Sequence, residues 1–234
     1  MKRIYRDVFR DRLKNYEMSY KETNLYISAC KDMKIEIFEY VRRLRAVLDL
    51  YISKRKEFLT SLEPIKFDKK ADSIVKDMIK ASKKASVGPM ACVAGAFAQY
   101  VGNIILKECN ECVVENGGDI FLKLDTQPTV GIYTENKFFK DRITIKLNKS
   151  KKPFGICASS AKIGPSLSKG RADLAVIIAE DAIFADGLAT KTANMIVNKD
   201  DIKKAINFSK EKDIIGCLFI KDDALGVWGD LSLV

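Results

Sequence analysis

Three short stretches of the chain combine glycines with polar side chains in ways that suit a phosphate-bearing ligand. The first is Asn116-Gly117-Gly118-Asp119, in the sequence VENGGD. Glycines let a ligand approach the backbone, and successive free N–H groups form a site for an anion. Asn116 and Asp119 would then bind a ribose, a base edge or a metal ion. The alternative is a β-bulge or a tight turn that Asn and Asp stabilise.

The second stretch, at residues 157–173, is CASSAKIGPSLSKGRAD, and it is rich in hydroxyl groups and cations. Hydroxyl groups and cationic side chains both donate hydrogen bonds to phosphate oxygens. No Walker pattern is present, so the stretch is not a P-loop. An ordinary polar surface loop is the alternative. The candidate ligand-binding residues here are Ser159, Ser160, Lys162, Ser166 and Ser168, with Lys169 and Arg171 beside them.

The third stretch is ADGLAT, in which Asp186 and Thr190 are four residues apart. On a helix this spacing places both side-chain oxygens on one face. A carboxylate and a hydroxyl together form a partial site for Mg²⁺, which prefers oxygen ligands and keeps waters and substrate phosphates. A chance occurrence of Asp and Thr on a helix is the alternative.

The absence of histidine excludes several classes of site. None of the 234 residues is a histidine, which excludes a histidine base, a histidine metal ligand and a Ser-His triad. Six cysteines without an N-terminal secretory signal indicate a reducing, cytoplasmic location. Cys109 and Cys112 have CxxC spacing, but no second pair completes a zinc site. We expect two ordinary cysteines at a helix-to-strand junction, with a redox or metal role as the alternative.

The net charge of +10 is concentrated near the start of the chain. The first 60 residues contain 15 Lys and Arg against 9 Asp and Glu, with clusters at Arg42–Arg45 and Lys54–Lys56. A basic face can bind phosphorylated small molecules or nucleic acid. No nucleic-acid-binding motif accompanies the charge. We therefore expect a solvated surface, and RNA binding by this section is an alternative hypothesis.

The pattern of apolar residues predicts an α+β fold with a mixed or antiparallel sheet packed with helices. We expect one domain over residues 1–234, with a basic N-terminal section over residues 1–60. Residues 3–30 read as a β-hairpin or meander and residues 31–60 as a long amphipathic helix. The apolar side of that helix is predicted to contain Ile35, Phe38, Val41, Leu44, Leu48 and Ile52. Further helices are predicted at 69–84, from 86 onward, at 181–197 and at 200–212. Strands are predicted at 112–125, 129–134, 142–147, 154–159 and 172–180, followed by two closing strands.

Residues 85–106 carry no charge and are long enough to span a bilayer. They nevertheless include Pro89, Gln99, Asn103, three glycines and many alanines, so the segment is weakly hydrophobic for insertion. We predict a buried helix, capped by Ser86, whose small residues allow close packing. No membrane span is expected.

Six blocks of the sequence resemble the uncharacterised family of small ApbE-like proteins, found mostly in archaea and anaerobic bacteria. They cover nearly the whole chain, and VGPMACVAGAFAQYVG and VENGGDIF are the most specific. Through its superfamily the chain is similar to flavin transferases that move FMN from FAD onto a protein threonine with Mg²⁺. The blocks lie at Tyr5–Arg6, Lys21–Ile27, Val87–Gly102, Val113–Phe121, Gly155–Asp173 and Ala185–Asn194.

The resemblance implies a related α+β fold and roles for particular residues. The GGD-type loop, here Gly117, Gly118 and Asp119, contacts the flavin nucleotide, and the aspartate and threonine of the AD-x-L-A-T helix, here Asp186 and Thr190, hold the metal. The chain departs from the pattern, because a histidine near the flavin and a threonine of the family's CTSSGT-x-GHS block are missing. The ETDL block is also ETNL here. These departures bear on FMN transfer more than on ligand binding.

The leading hypothesis is a cytoplasmic protein that binds a flavin nucleotide, FAD or FMN, or another phosphate-bearing small molecule with Mg²⁺, with a transfer reaction as its extension. The second is a non-catalytic accessory protein in anaerobic sulfur assimilation or pterin-cofactor synthesis. Cys157 would then be a thiolate whose pKa nearby cations lower, and a buried small hydrophobe is its alternative. Neither hypothesis requires a membrane or nucleic acid, and a homodimer is compatible with both. No catalytic residue is assigned.

Overall fold

The computed structural model describes residues 12–140, 143–160 and 172–234. The described residues form six α-helices and eleven strands. The helices are α1 (Lys34–Lys54), α2 (Glu57–Thr60), α3 (Ser73–Ala85), α4 (Val93–Ile105), α5 (Ala182–Met195) and α6 (Asp201–Lys210). The strands are β1 (Lys14–Tyr20), β2 (Thr23–Ala29), β3 (Cys112–Asn116), β4 (Asp119–Lys123), β5 (Thr129–Ile132), β6 (Ile143–Leu147), β7 (Phe154–Ser159), β8 (Leu174–Ala179), β9 (Gly216–Lys221), β10 (Ala224–Gly229) and β11 (Leu231–Leu233).

Eight of these strands form one large sheet, in the order β1-β2-β3-β4-β7-β8-β9-β10, and the others form a smaller sheet in the order β11-β6-β5. Within the described residues every pairing is antiparallel. The α+β class is therefore confirmed, with the antiparallel form of the sheet. The predicted closing segment GVWGDLSLV is divided between β10 and β11, which belong to different sheets.

Hydrophobic cores cover both faces of the large sheet. One core lies between the sheet and the helices, and the other lies between the sheet and β5, β6 and β11. Strand β8 contributes to both, because Ala175 and Ile177 face the helices while Val176 and Ile178 face the small sheet. The continuous apolar run of β8 predicted that both faces of this strand would be buried. The layers are thus helices, large sheet and small sheet.

The predicted single strand at residues 112–125 is in fact two strands joined by a tight turn. Strands β3 and β4 pair with Asn116 opposite Asp119. Gly117 and Gly118 form the turn between them, with φ of +70° and +118°. Side chains rarely adopt such φ values, so glycines suit this two-residue hairpin. The prediction of one strand was wrong, and the tight-turn alternative is confirmed.

Helix α1 confirms the predicted amphipathic helix but differs from it in two respects. Ile35 is 83% exposed, and the buried side chains begin at Ile37. The other buried residues of the helix are Val41, Leu44 and Leu48, spaced as one face of a helix requires. The helix also ends at Lys54, before the predicted end at residue 60, and the short α2 follows.

Ser86 does not cap the helix that follows it. Its φ is +58°, and its amide donates to carbonyl oxygens of α3, so this residue ends α3. A 3-10 turn at Pro89–Cys92 comes next, and α4 begins at Val93. In the described part of the chain, no helix is both long and apolar enough to cross a membrane. Helix α4 is instead largely buried.

The CxxC cysteines do not bond to each other. Cys109 forms a disulfide with Cys30, 79 residues earlier, whereas Cys112 has a free, buried thiol in β3. Pairing of β2 with β3, which places Ala29 opposite Cys112, brings Cys30 towards the segment before β3. The expectation of two ordinary cysteines was therefore wrong for Cys109.

Candidate functional site

The Asn116–Asp119 turn lies at one end of the large sheet, beside the end of β7. Strand β7 is the neighbour of β4, and the Cys157 thiol lies beside the Asp119 carboxylate. Ser159 and Ser160, two and three residues after Cys157, are both buried. The sheet thus brings the first predicted stretch next to the beginning of the second.

The remaining candidates of the second stretch lie outside the described residues. They are Lys162, Ser166 and Ser168, together with Lys169 and Arg171. Their binding of a phosphate stays a prediction.

Helix α5 carries the third stretch. The helix begins after Asp181, whose side chain accepts hydrogen bonds from the amides of Ile183 at 2.9 Å and Phe184 at 3.2 Å, as an N-cap does. Asp186 is only 8% exposed, and Thr190, one turn later, is half-buried. Their four-residue spacing on this helix places both on one side of it.

The first turn of α4 packs directly against Asp186. A Cβ atom at Gly95 would lie 2.4 Å from the carbonyl oxygen of Ala182 and 2.8 Å from the Cβ of Asp186, so only glycine permits this approach. The Gly95 amide donates to Oδ2 of Asp186 at 2.8 Å. Amides in the first turn of a helix lack intrahelical partners, so this carboxylate oxygen stabilises the start of α4.

The same turn of α4 also holds the β3–β4 hairpin. Asn116 Nδ2 donates to the carbonyl oxygen of Ala94 at 3.1 Å. Helix α4 therefore links the glycine turn to Asp186. Ala94 and Gly95 were not predicted as site residues, because the small residues of this helix indicate a packing surface. The sequence feature that could have indicated them is the family-like block Val87–Gly102, which contains both residues.

Asp119 and Asp186 are two buried carboxylates near each other. Burial raises the pKa of Asp119 to about 7, although the neighbouring Cys157 side chain and the Ala158 backbone oppose the shift. Burial, followed by the negative charge of Asp119, raises the pKa of Asp186 well above its ordinary value. Asp119 Oδ1 is buried and lacks a hydrogen-bond partner in the described part of the chain. Such an oxygen is costly unless a proton, a cation or a ligand donor reaches it.

The donor set fits a hard cation that is also bound by the phosphates of a ligand. Asp186 and Thr190 offer carboxylate and hydroxyl oxygens, as Mg²⁺ prefers. Among the described residues, no three or more His, Cys, Asp or Glu side chains converge on a closed metal site. At Gly117 and Gly118, no atom lies within 4 Å of the place a Cβ would take, so the turn has open space beside it. The arrangement is an open oxygen site rather than a closed metal cage.

Cys157 is a fully buried thiol that donates to the carbonyl oxygen of Ala182 at 3.4 Å. Burial, followed by the charges of Asp119 and Asp186, raises the pKa of this thiol well above its ordinary value. Among the described residues, the charged groups that raise this pKa are carboxylates, so the expected lowering is not found there. The cations of that expectation, Lys162, Lys169 and Arg171, lie outside those residues. The alternative, a buried small side chain, is confirmed.

The basic N-terminal section neutralises part of its own charge. Arg42 pairs with Glu39 at 2.8 Å, and Arg45 pairs with Glu22. Cations that are already paired with carboxylates neutralise fewer phosphates of a nucleic acid, so fewer of its counterions are released on binding. This feature weakens the RNA-binding hypothesis.

Comparison with known proteins identifies relatives along nearly the whole chain. A family model described as "AbpE bacteria" matches residues 6–217. A protein from Methanobrevibacter smithii named "UPF0280 protein" is 39% identical over 217 residues, which cover 89% of this chain and 91% of the relative. A protein of the same name from Archaeoglobus fulgidus is 35% identical over 226 residues, covering 94% and 93% of the two chains.

Solved structures with little sequence identity share the fold. The flavin transferase ApbE from Vibrio cholerae superimposes with a TM-score of 0.60 at 13% identity, over 92% of this chain and 96% of that one. The apbe protein from Thermotoga maritima gives a TM-score of 0.58, also at 13% identity, over 93% and 97% of the two chains. At this identity the likeness concerns the arrangement of helices and strands.

Proposed function

The chain belongs to the AbpE bacteria family, and on that premise we propose that it binds a flavin nucleotide, FAD or FMN, together with Mg²⁺. One observation supports the proposal above the others. Asp119 and Asp186 are buried together, and Asp119 Oδ1 has no partner among the described residues, beside an open glycine turn. The shared fold with proteins named flavin transferases favours a flavin among phosphate-bearing ligands.

Each residue of the site has a distinct part in this proposal. The Asp186 oxygen that is not bonded to the Gly95 amide, together with the Thr190 hydroxyl, would hold the metal. Mg²⁺, when bound, supplies positive charge that offsets the buried carboxylates and the phosphates of the ligand. The amides of Gly117 and Gly118 would face phosphate oxygens. Asp119 Oδ1 would accept a hydrogen bond from a ligand hydroxyl.

Titration calorimetry with FAD, with and without Mg²⁺, tests the proposal. We expect micromolar binding that requires Mg²⁺, and at least tenfold weaker binding by Asp186→Asn. The asparagine retains an oxygen for the Gly95 amide, so α4 keeps its hydrogen bond while the charge is lost. Asp125→Asn, at an exposed position just beyond β4, is the matched control and should bind as the unmodified protein does.

The binding proposal would be contradicted if FAD and FMN bound equally well without Mg²⁺, or if Asp186→Asn bound as tightly as the control. Circular dichroism of each variant establishes that it is folded. Both outcomes can therefore be interpreted without reference to catalysis.

A transfer reaction is the extension of the proposal. The hydroxyl oxygen of an acceptor threonine would bond to the phosphorus of the FMN portion of FAD, the pyrophosphate P–O bond would break, AMP would leave, and the hydroxyl proton would pass to solvent. Mass spectrometry of the products measures AMP and the FMN adduct. Binding of FAD without release of AMP in the presence of acceptor protein would identify a binding protein rather than a transferase.

A further inference from the structure

A groove of about 580 Å³ runs between α6 and β10, away from the candidate flavin site. Strand β10 is four strands from β4 in the large sheet, which is about 19 Å at the usual spacing between strands. The groove is therefore a separate feature of the molecule.

One wall of the groove is the edge of the large sheet. Strand β10 is last in the strand order, and in the described part of the chain it pairs with β9. Its other edge consequently presents backbone N–H and C=O groups without a neighbouring strand, which is the usual template for adding a further strand.

The other wall is α6, and the packing of β10 shows how the two walls meet. A Cβ atom at Gly226 would lie 2.4 Å from the Ile202 side chain and 2.9 Å from that of Ile206, so position 226 faces the helix. Leu225 and Val227 pack against the opposite core, yet they line the groove. Their side chains point away from α6, so we infer that it is their backbone, at the edge of the strand, that lines the groove.

The charge of the groove is positive. Lys199, Lys203 and Lys210 line it together with the carboxylate of Asp200. Lys199 also pairs with Asp223 at 3.5 Å, so Lys203 and Lys210 carry most of the positive charge that a ligand would meet. The Lys210 ammonium group lies 5.8 Å from the centre of the Trp228 ring, which gives the groove an aromatic surface beside its cations.

We propose that this groove binds an extended, acidic segment of a partner protein, which adds as a strand to β10. Backbone hydrogen bonds to an edge strand supply affinity that does not depend on sequence, while flanking side chains select the partner. The lysines select carboxylates. The six residues of β10 match an extended segment of about six residues, or 20 Å. A second copy of this chain is disfavoured, because antiparallel pairing of two β10 edges would bring the same lysines close to each other.

Selection of random twelve-residue peptides on phages, with the full chain as target and without FAD or Mg²⁺, tests the proposal. We expect the enriched peptides to be acidic. Synthetic versions should change the emission of Trp228, the sole tryptophan, and protect the amides of residues 224–229 from hydrogen exchange. Lys203→Glu should weaken binding about tenfold. Lys66→Glu, which makes the same charge change on an exposed loop, should alter it less than twofold.

The proposal would be overturned by enrichment of neutral or basic peptides, no enrichment, protection at a place other than residues 224–229, or equal binding by the two lysine variants. Protection of residues 224–229 that rises with protein concentration alone would assign the edge to a second copy instead. If an added nucleotide displaced the peptide and quenched the emission of Trp228, the groove would instead be a site where an aromatic base stacks on Trp228. Because the assay omits FAD and Mg²⁺, its result does not depend on the flavin proposal.

Discussion

The buried carboxyl group of Asp119 should make the stability of the metal-free protein depend on pH. Burial raises its pKa from 3.8 to about 7. Since the folded value exceeds the unfolded one, its stabilising contribution is complete below about pH 4 and is lost as the pH rises through 7. We expect this group to lower the free energy of unfolding by about 4 kcal/mol across that window, since each unit of pKa corresponds to roughly 1.4 kcal/mol.

Urea unfolding in the presence of a chelator measures this effect as a difference between two proteins. Asp119→Asn keeps the shape of the side chain but does not titrate, so subtracting its pH profile removes the contributions of distant groups and leaves that of Asp119 together with its effect on Asp186. The expected difference between the profiles grows from pH 4 to pH 7. A constant difference over that range would mean that Asp119 is not held in a site that penalises its charge.

At the scale of the elements, the close contact of α4 with α5 determines where Asp186 lies. Gly95→Ala would place a methyl group 2.4 Å from a backbone oxygen of α5, which cannot move without the helix. Alanine favours a helix over glycine by about 1 kcal/mol, whereas overpacking costs typically 1–3 kcal/mol. We expect a net loss of stability and weaker Mg²⁺-dependent FAD binding, measured by urea unfolding and calorimetry.

Gly131→Ala is the control for that substitution. Position 131 is an exposed strand residue where a Cβ would meet no atom within 4 Å. It should unfold at the same or slightly higher urea concentration. If Gly95→Ala behaved like Gly131→Ala, the contact between α4 and α5 would be able to relax, and the position of Asp186 would not depend on it.

The disulfide joins the end of β2 to the segment between α4 and β3. It closes a loop across 79 positions, and loops of this length give disulfides their larger stabilising effect, typically 2–4 kcal/mol. We expect dithiothreitol to lower the melting temperature of the unmodified protein. The double variant Cys30→Ser/Cys109→Ser should melt at the temperature of the reduced protein, with or without dithiothreitol. An effect of the reductant on that variant would show that another group is responsible.

For the molecule as a whole, local patterns of sequence predicted the elements better than their contacts. The alternation in β1 and β2 and the apolar run of β8 are each determined by neighbours in the chain and by burial, so both could be predicted. The Gly117-Gly118 turn was predicted only as an alternative to a single strand, because apolar residues continue on both sides of it. The polar stretches of the candidate site were predicted from residue type. The raised pKa of Cys157, in contrast, depends on burial and on two carboxylates, Asp119 and Asp186, which lie 38 positions before it and 29 after it in the chain. Folding brings those groups together, and periodicity carries no information about them.

Continuity of the large sheet bears on the prediction that residues 1–234 form one domain. The core between sheet and helices includes residues from β1 through β9, and Trp228 of β10 packs against it. If these parts unfold as one unit, Trp228 emission and far-ultraviolet circular dichroism should change at the same urea concentration, with a single transition. An earlier change of Trp228 would mean that β9, β10 and α6 open separately from the rest. In that case the groove beside β10 could open without disturbing Asp119 and Asp186, and the two proposed sites would lie in units of different stability.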